Sequence, residues 1–170
     1  MIKTMLISGQ NVVEYGGVEL VQKWRENPTT RIWLDISGEA NLEETDLLTT
    51  LGCHALAISD AQRERHPPKL ELFKDYLFFL YRGIKEVKSG LEVEHLQISF
   101  FVGKRILISR HNKESLAIDS LFNETGERFL QRSPVHLATR VFHTSCGFYI
   151  DLLINFESEL EAIEDEFQRE

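Results

Sequence analysis

The spacing of apolar residues predicts that the chain opens with strands. Thr4–Ser8 and Asn11–Tyr15 flank Gly9-Gln10, which predicts a small hairpin because glycine tolerates the positive φ angles of tight turns. Val18–Glu26 has the pattern of a short helix. Arg31–Ile36 (RIWLDI) is rich in β-branched and aromatic residues and predicts a buried strand.

Three apolar segments in the middle of the chain predict an antiparallel meander. Their predicted strands are Leu70–Glu86, Leu91–Val102 and Arg105–Ser109. The first turn is predicted at Lys88-Ser89-Gly90 and the second at Gly103-Lys104. Because both connections are short, neighbouring strands must run in opposite directions.

Helix signals lie between the predicted strands. Asn41 is suited to cap a helix that runs to Leu51, and Gly52 stands where a left-handed residue usually ends a helix. His54–Glu64 is ambiguous, since its composition fits a strand and its spacing fits a second short helix. Pro67-Pro68 then requires an extended or turn conformation.

The last part of the chain predicts helices only. His111–Arg132 has the pattern of two short helices broken near Gly126, and Ser133-Pro134 supplies an N-cap and a proline at the first helical position. A long final helix carries apolar residues 4, 3, 4, 3, 4, 3 and 4 positions apart. These are Phe142, Cys146, Tyr149, Leu153, Phe156, Leu160, Ile163 and Phe167. This narrow stripe is typical of coiled coils or paired helices, and no capping residue follows it, so we expect the helix to continue in a larger protein.

Charge is concentrated at the C-terminal end. Glu157–Glu170 holds seven acids and one arginine, a net charge of −6, which leaves −2 for the rest of a chain whose net charge is −8. Nucleic acid is therefore not an expected partner, because phosphate binding needs a basic surface. The two cysteines, Cys53 and Cys146, indicate a reducing compartment, and no run of apolar residues reaches the length of a membrane span.

Few residues suggest chemistry by themselves. Cys53-His54 is half of a zinc motif, but no second half completes it. Asp35 ends a predicted strand, where α/β enzymes often place catalytic acids. A soluble α/β enzyme with Asp35 and Asp60 as paired acids is therefore one alternative. A stand-alone interaction module that uses the final helix as a coiled coil is another.

The order of features between Leu51 and Leu80 resembles the cytoplasmic domain of the CorA-like divalent metal transporters, the family that includes CorA and ZntB. The matching residues are Gly52, His54, Leu56, Asp60, Pro68, Lys69, Glu71, Asp75 and Tyr76. Trp33–Ile36 (WLDI) is similar to the preceding strand of the family. Three positions depart from the family pattern: Ala55 replaces a proline, Ser59 an acid and Pro67 an arginine. The loss of the acid at Ser59 weakens the expected metal site.

The resemblance implies an α/β fold, an α/β/α sandwich whose mixed sheet includes the antiparallel meander, followed by a long acidic C-terminal helix. It places an α/β cytoplasmic domain at 1–132 and the start of a helical hairpin at 133–170. It further implies a homopentamer on the cytoplasmic face of the inner (plasma) membrane of a bacterium. Stalk and membrane helices would lie beyond this sequence, and the isolated domain would be monomeric or dimeric.

The family's regulatory metal site provides the residue roles that the resemblance implies. In relatives, the acid at the position of Asp60 binds Mg²⁺ together with an acid on the stalk helix of a neighbouring subunit, and bound cations favour the closed pore. The ligand and transported ion would be a divalent cation, Mg²⁺, Co²⁺ or Zn²⁺, with no other cofactor. His143, seven residues after His136, lies near a place where some relatives carry a further acid. The resemblance makes Asp35 a cap between sheet and helix, and it predicts no enzyme activity.

Overall fold

A computed structural model describes residues 1–89 and 92–167, which form an α/β/α sandwich. The strands are β1 (Ile2–Ile7), β2 (Val13–Gly16), β3 (Arg31–Ser37), β4 (Lys69–Leu72), β5 (Tyr76–Ser89), β6 (Glu92–Gly103) and β7 (Ile106–His111). The helices are α1 (Leu20–Glu26), α2 (Leu42–Thr50), α3 (Ala55–Gln62), α4 (Leu116–Ser120), α5 (Gly126–Arg132) and α6 (Pro134–Phe167). A π-helical turn, Leu121–Thr125, joins α4 to α5.

The described strands make one mixed sheet in the order β2-β1-β3-β7-β6-β5-β4. β3 and β7 are parallel, and the other neighbouring strands are antiparallel. β5, β6 and β7 form the predicted meander. The parallel pair lies at the centre of the sheet, where one strand from the N-terminal part meets the last strand of the meander.

Alternating side chains on each strand build a separate core on each face of the sheet. On β3, Ile32 and Leu34 pack with α3 residues such as Ile58, in the core beneath α1, α2 and α3. Trp33, the residue between them, points the other way into a core that includes Leu137 of α6. The helices α4, α5 and α6 cover that second face.

Local capping explains where the helices begin and end. Asn41 Oδ1 accepts a hydrogen bond from the Glu44 amide at 2.8 Å, and Gly52 has a φ of +86°. His54 resolves the ambiguity of its segment, because its Nδ1 accepts from the Leu56 amide at 3.2 Å and starts α3 as a cap. The predicted N-cap Ser133 accepts from the His136 amide at 3.2 Å.

One predicted strand is wrong in detail. The segment predicted as one strand from Leu70 is divided into β4 and β5 by a turn at Phe73, whose amide donates to the carbonyl of Tyr76 at 2.9 Å. The rings of Phe73 and Tyr76 stack at 4.7 Å, and the His54 ring lies 5.4 Å from Phe73. This aromatic corner holds the turn.

The turns of the hairpin and the meander also differ from the predictions. In the first hairpin, Asn11 rather than Gly9 adopts the positive φ, at 62°. The turn predicted at Lys88-Ser89-Gly90 falls partly outside the described residues, and β5 still includes Ser89.

The long helix α6 changes its surroundings along its length. Near its start, Leu137 and Val141 are fully buried against the sheet. Farther on, the apolar side chains Ile150, Leu153, Ile154, Leu160, Ile163 and Phe167 are exposed. With 34 residues, the helix is about 50 Å long. Within the described part of the chain, no helix has both the length and the apolar character needed to cross a bilayer.

Candidate functional site

Asp60 lies near the C-terminal end of α3 and contacts two basic side chains. Its Oδ2 lies 2.7 Å from Nζ of Lys69, the first residue of β4, and its Oδ1 lies 3.3 Å from Nε2 of His66. The Asp60 side chain is 14% exposed, so it remains within reach of solvent. Asp60 thus forms a half-buried ion pair with Lys69.

A single glutamine fixes the loop around this carboxylate. Gln97 of β6 donates from Nε2 to the backbone carbonyls of Asp60, at 3.1 Å, and Arg63, at 2.7 Å. Its Oε1 accepts from the His66 amide at 2.8 Å. The loop that follows α3 is thereby tied to the sheet, and the Asp60 and His66 side chains are held on the same surface.

A second carboxylate shares the Lys69 ammonium. Glu71 Oε2 lies 3.1 Å from Lys69 Nζ, so two acids from α3 and β4 contact one cation. Hydrogen bonds to Asp60 and then to Glu71 raise the pKa of Lys69 and keep it charged. The arrangement can hold a positive charge between two carboxylates, the ligand type that Mg²⁺ prefers.

One chain by itself does not supply a complete set of metal ligands at this cluster. Among the described residues, no group of three or more histidine, cysteine, aspartate or glutamate side chains is placed to hold a metal ion. A divalent cation would therefore need water or another protein segment as further ligands, and it would compete with Lys69 for the Asp60 carboxylate.

The paired-acid alternative is wrong because the two acids lie on opposite faces of the sheet. Asp35 follows Trp33 and Leu34 on β3 and shares the face of Trp33, toward α4, α5 and α6. Asp60 belongs to α3, whose Ile58 packs on the other face. The interpretation of Asp35 as a cap is also wrong, because its carboxylate bonds to side chains of β7.

Asp35 anchors a buried polar network. Ser109 Oγ donates to Asp35 Oδ1 at 2.5 Å and accepts from Trp33 Nε1 at 2.9 Å. His111 Nε2 lies 3.1 Å from the same Oδ1, and its Nδ1 contacts the Lys113 carbonyl. The side chains of Asp35 and His111 are 1% and 2% exposed.

The charge state of His111 is set by this network. Burial by itself lowers the pKa of His111, but the hydrogen bond and negative charge of Asp35, with the Lys113 carbonyl, outweigh burial and raise the pKa. Sequence inspection missed Ser109 and His111. Ser109 lies opposite Asp35 because β3 and β7 pair in parallel. That pairing joins segments that are distant along the chain, so no local sequence pattern indicates it.

The remaining candidate metal ligands are His143, His136 and Cys53. His143 is exposed on α6, and His136 uses its Nδ1 in a hydrogen bond with Ser133 Oγ at 2.8 Å. Seven helical residues separate the two histidines by about 10.5 Å along the axis, so α6 does not bring them close. Cys53 is buried, and burial raises the pKa of its thiol to about 12, which makes it a poor metal ligand. The ligand role of His143 stays a prediction.

Comparison with known proteins reveals the same fold in solved structures. Superposition on a structure titled "structure of the full-length CmaX protein" gives a TM-score of 0.77 at 17% identity, covering 98% of this chain and 51% of that one. The complete CorA magnesium transporter from Methanocaldococcus jannaschii gives 0.73 at 18% identity, with coverages of 98% and 51%. At these identities the likeness establishes the fold alone.

Sequence comparison provides the family. The chain is 24% identical over 160 residues to the cobalt/magnesium transport protein CorA of Thermotoga maritima, an alignment that covers 88% of this chain. The chain spans 43% of that relative's length. The profile of the family described as CorA-like Mg²⁺ transporter protein matches residues 29–170. On this match over most of its length, the chain belongs to the CorA-like Mg²⁺ transporter family.

Proposed function

We propose that this chain is the cytoplasmic metal-sensing and gating domain of a divalent-cation transporter or channel for Mg²⁺, Co²⁺ or Zn²⁺. The observation that carries the proposal is the Asp60 carboxylate, which contacts His66 and shares the Lys69 ammonium with Glu71. Membership of the CorA-like family supports the same function. The domain senses a cation and changes its packing, and it catalyses no covalent reaction.

The proposed sensing step is an exchange of cations at Asp60. At high metal concentration, a hydrated divalent ion displaces Lys69 and links Asp60 to a carboxylate of a neighbouring subunit. Mg²⁺ suits this role because it binds through one or two carboxylates and retains several waters. When the metal leaves, the interface loses that link. The equilibrium between the metal-bound and metal-free packing of the subunits then shifts, by an amount set by the difference in their affinity for the metal.

The assembly belongs to the proposal as well. The chain covers less than half of its curated relative, so the transporting part of the protein would lie in sequence beyond this chain. We propose a homopentamer anchored in the inner (plasma) membrane of a bacterium, with this domain on the cytoplasmic face. The acids of the last turns of α6 would attract cations toward the entrance of the pore. His143 would add a transition-metal ligand.

Calorimetry on the full-length protein tests the sensor. Titration with Mg²⁺ and Co²⁺ is expected to give binding that weakens about tenfold or more in Asp60→Ala, because a carboxylate ligand is lost. Asp46→Ala is the matched control, since Asp46 is an exposed acid on α2. Equal binding by wild type and Asp60→Ala would overturn the sensor role of this residue, whereas Asp46→Ala should leave binding unchanged.

The exposed stripe of α6 favours a second candidate function, an interaction module. Leu153 and Phe167 are 63% and 75% exposed in an apolar row that another helix could cover. The coding sequence of the natural protein distinguishes the two functions. Two apolar spans downstream, long enough to cross a membrane, would support the transporter, and a stop codon near Glu170 would support the module.

A further inference from the structure

A polar cavity of about 400 Å³ opens on the sheet beside the loop that follows α3. It is distinct from the Asp60 carboxylate, although Gln97 borders both. Its hydrogen-bond donors come from four parts of the chain: the loop after α3, β5, β6 and the segment that follows β7. They are Arg65, Arg82, His95, Gln97, Asn112 and Lys113.

The acids that line the cavity are already engaged. Glu64 accepts a hydrogen bond from Asn112 Nδ2 at 2.9 Å. Glu94 pairs with Lys113 and Lys85, and the hydrogen bond from Lys113 is the main cause that lowers the pKa of Glu94. The carboxylates therefore add little capacity for a cation.

Two guanidinium groups of the cavity form no ion pair with the carboxylates that the structure describes. No carboxylate among the described side chains forms an ion pair with Arg65 or Arg82, although the chain as a whole carries a net charge of −8. Arginine presents several donors in a planar fork that matches the oxygens of carboxylates and phosphates. The cavity thus places two arginines, neither of which is in an ion pair with a described carboxylate, in an otherwise acidic protein.

The loop that presents Arg65 has a fixed and unfavourable backbone conformation. Arg65 has a φ of 61°, in the left-handed region that non-glycine residues seldom adopt. The four-point contact of Gln97 with the neighbouring backbone holds the loop in place. Such a rigid support reduces the ordering cost of binding at Arg65.

We propose that this cavity binds an oxyanion of the phosphate class, either free or carried by a small metabolite. Arg65 and Arg82 contact the anion, and the Asn112 and Lys113 side chains flank it. The volume falls within the range of small-molecule sites. No phenylalanine, tyrosine or tryptophan is among the described lining residues, so the cavity suits a phosphate or sugar phosphate better than a nucleotide base.

Calorimetric titration of the full-length protein tests the proposal. Inorganic phosphate and glucose 6-phosphate serve as probes at constant ionic strength, with chloride as the balancing anion. We expect saturable binding of at least one probe and a loss of about tenfold or more in Arg82→Gln, the effect of removing one charged hydrogen-bonding partner. The probe that binds more tightly distinguishes a free anion from a metabolite-borne phosphate.

Two further variants separate binding from folding and from general charge. Arg65→Gly removes the guanidinium while supplying the residue that tolerates a positive φ, so phosphate binding should fall while the melting temperature is unchanged or higher. Arg63→Gln removes the same charge from an exposed residue outside the cavity and should leave binding unchanged. Absence of saturable binding, or equal weakening in Arg63→Gln and Arg82→Gln, would overturn the proposal.

Discussion

Two aspartate–histidine pairs occupy opposite faces of the same sheet and have different surroundings. Asp35 and His111 approach to 3.1 Å, and Asp60 and His66 approach to 3.3 Å. The first pair is 1% and 2% exposed, and the second is 14% and 19% exposed. The distances are similar, so geometry within the pair does not distinguish their roles.

The neighbours of each pair make the difference. Asp35 is bound by Ser109, and Ser109 is in turn bound by Trp33, so every partner belongs to a rigid strand. Asp60 is bound by Lys69, a long and flexible side chain in contact with solvent. A buried pair with rigid partners stabilises the fold, whereas a solvent-accessible pair with a mobile cation can exchange that cation at small cost.

The largest expected effect comes from breaking the buried pair. Asp35→Ala should lower the free energy of unfolding by about 3–5 kcal/mol, because it leaves His111 and Ser109 without their buried partner. Urea denaturation followed by circular dichroism measures the loss. Asp35→Asn, which retains hydrogen-bonding atoms, should lose less. A value for Asp35→Ala within error of wild type would contradict the structural role of this pair.

The pH dependence of stability is the next largest expected effect. The pKa of His111 is raised in the folded state above its ordinary value of 6.5, so the folded protein retains a proton that the unfolded chain releases. The stabilisation is complete below pH 6.5 and is lost as the pH rises through the folded-state pKa. Unfolding measured from pH 6 to pH 9 should show this decline, and His111→Gln should flatten it. A decline of equal size in the variant would assign the effect to another group.

The smallest expected effect concerns the more accessible pair, Asp60 and His66. Asp60→Ala should lower the free energy of unfolding by at most about 1 kcal/mol, because solvent can replace the lost contacts.

Lys69→Met tests the competition between Lys69 and a metal ion. The variant leaves the Asp60 and Glu71 carboxylates without their shared cation. Divalent-cation binding at Asp60 should tighten several-fold, because the metal ion then relieves the repulsion between the two negative charges. Calorimetry measures this change. Weaker metal binding in Lys69→Met would show that Lys69 supports the site rather than competing for it.

Short-range signals were sufficient to predict much of the fold. The caps at Asn41 and Ser133 and the left-handed Gly52 depend on backbone groups within three or four residues, so the sequence contains both partners. The division of β4 from β5 was missed because the turn at Phe73 depends on stacking with His54, which is distant along the chain.

The candidate site was predictable only in part. Asp60 was recognised through a resemblance in the order of nearby residues, and its partners Lys69 and His66 follow within nine positions. The role of Asp35 was not recognised, because Ser109 and His111 are 74 and 76 residues away. Strand order brings them together, and no local spacing encodes that order.

The sequence by itself determined the helices outside the ambiguous segment His54–Glu64, the acidic end of α6 and the order of motifs that indicates the CorA-like family. Each of these properties depends on residues that are close along the chain. The tertiary structure decided which face of the sheet each acid occupies, which acid is sealed in the core and which arginines face a common cavity. Those properties arise from contacts between distant segments, and burial at such contacts determines whether a charge stabilises the fold or remains available to a ligand.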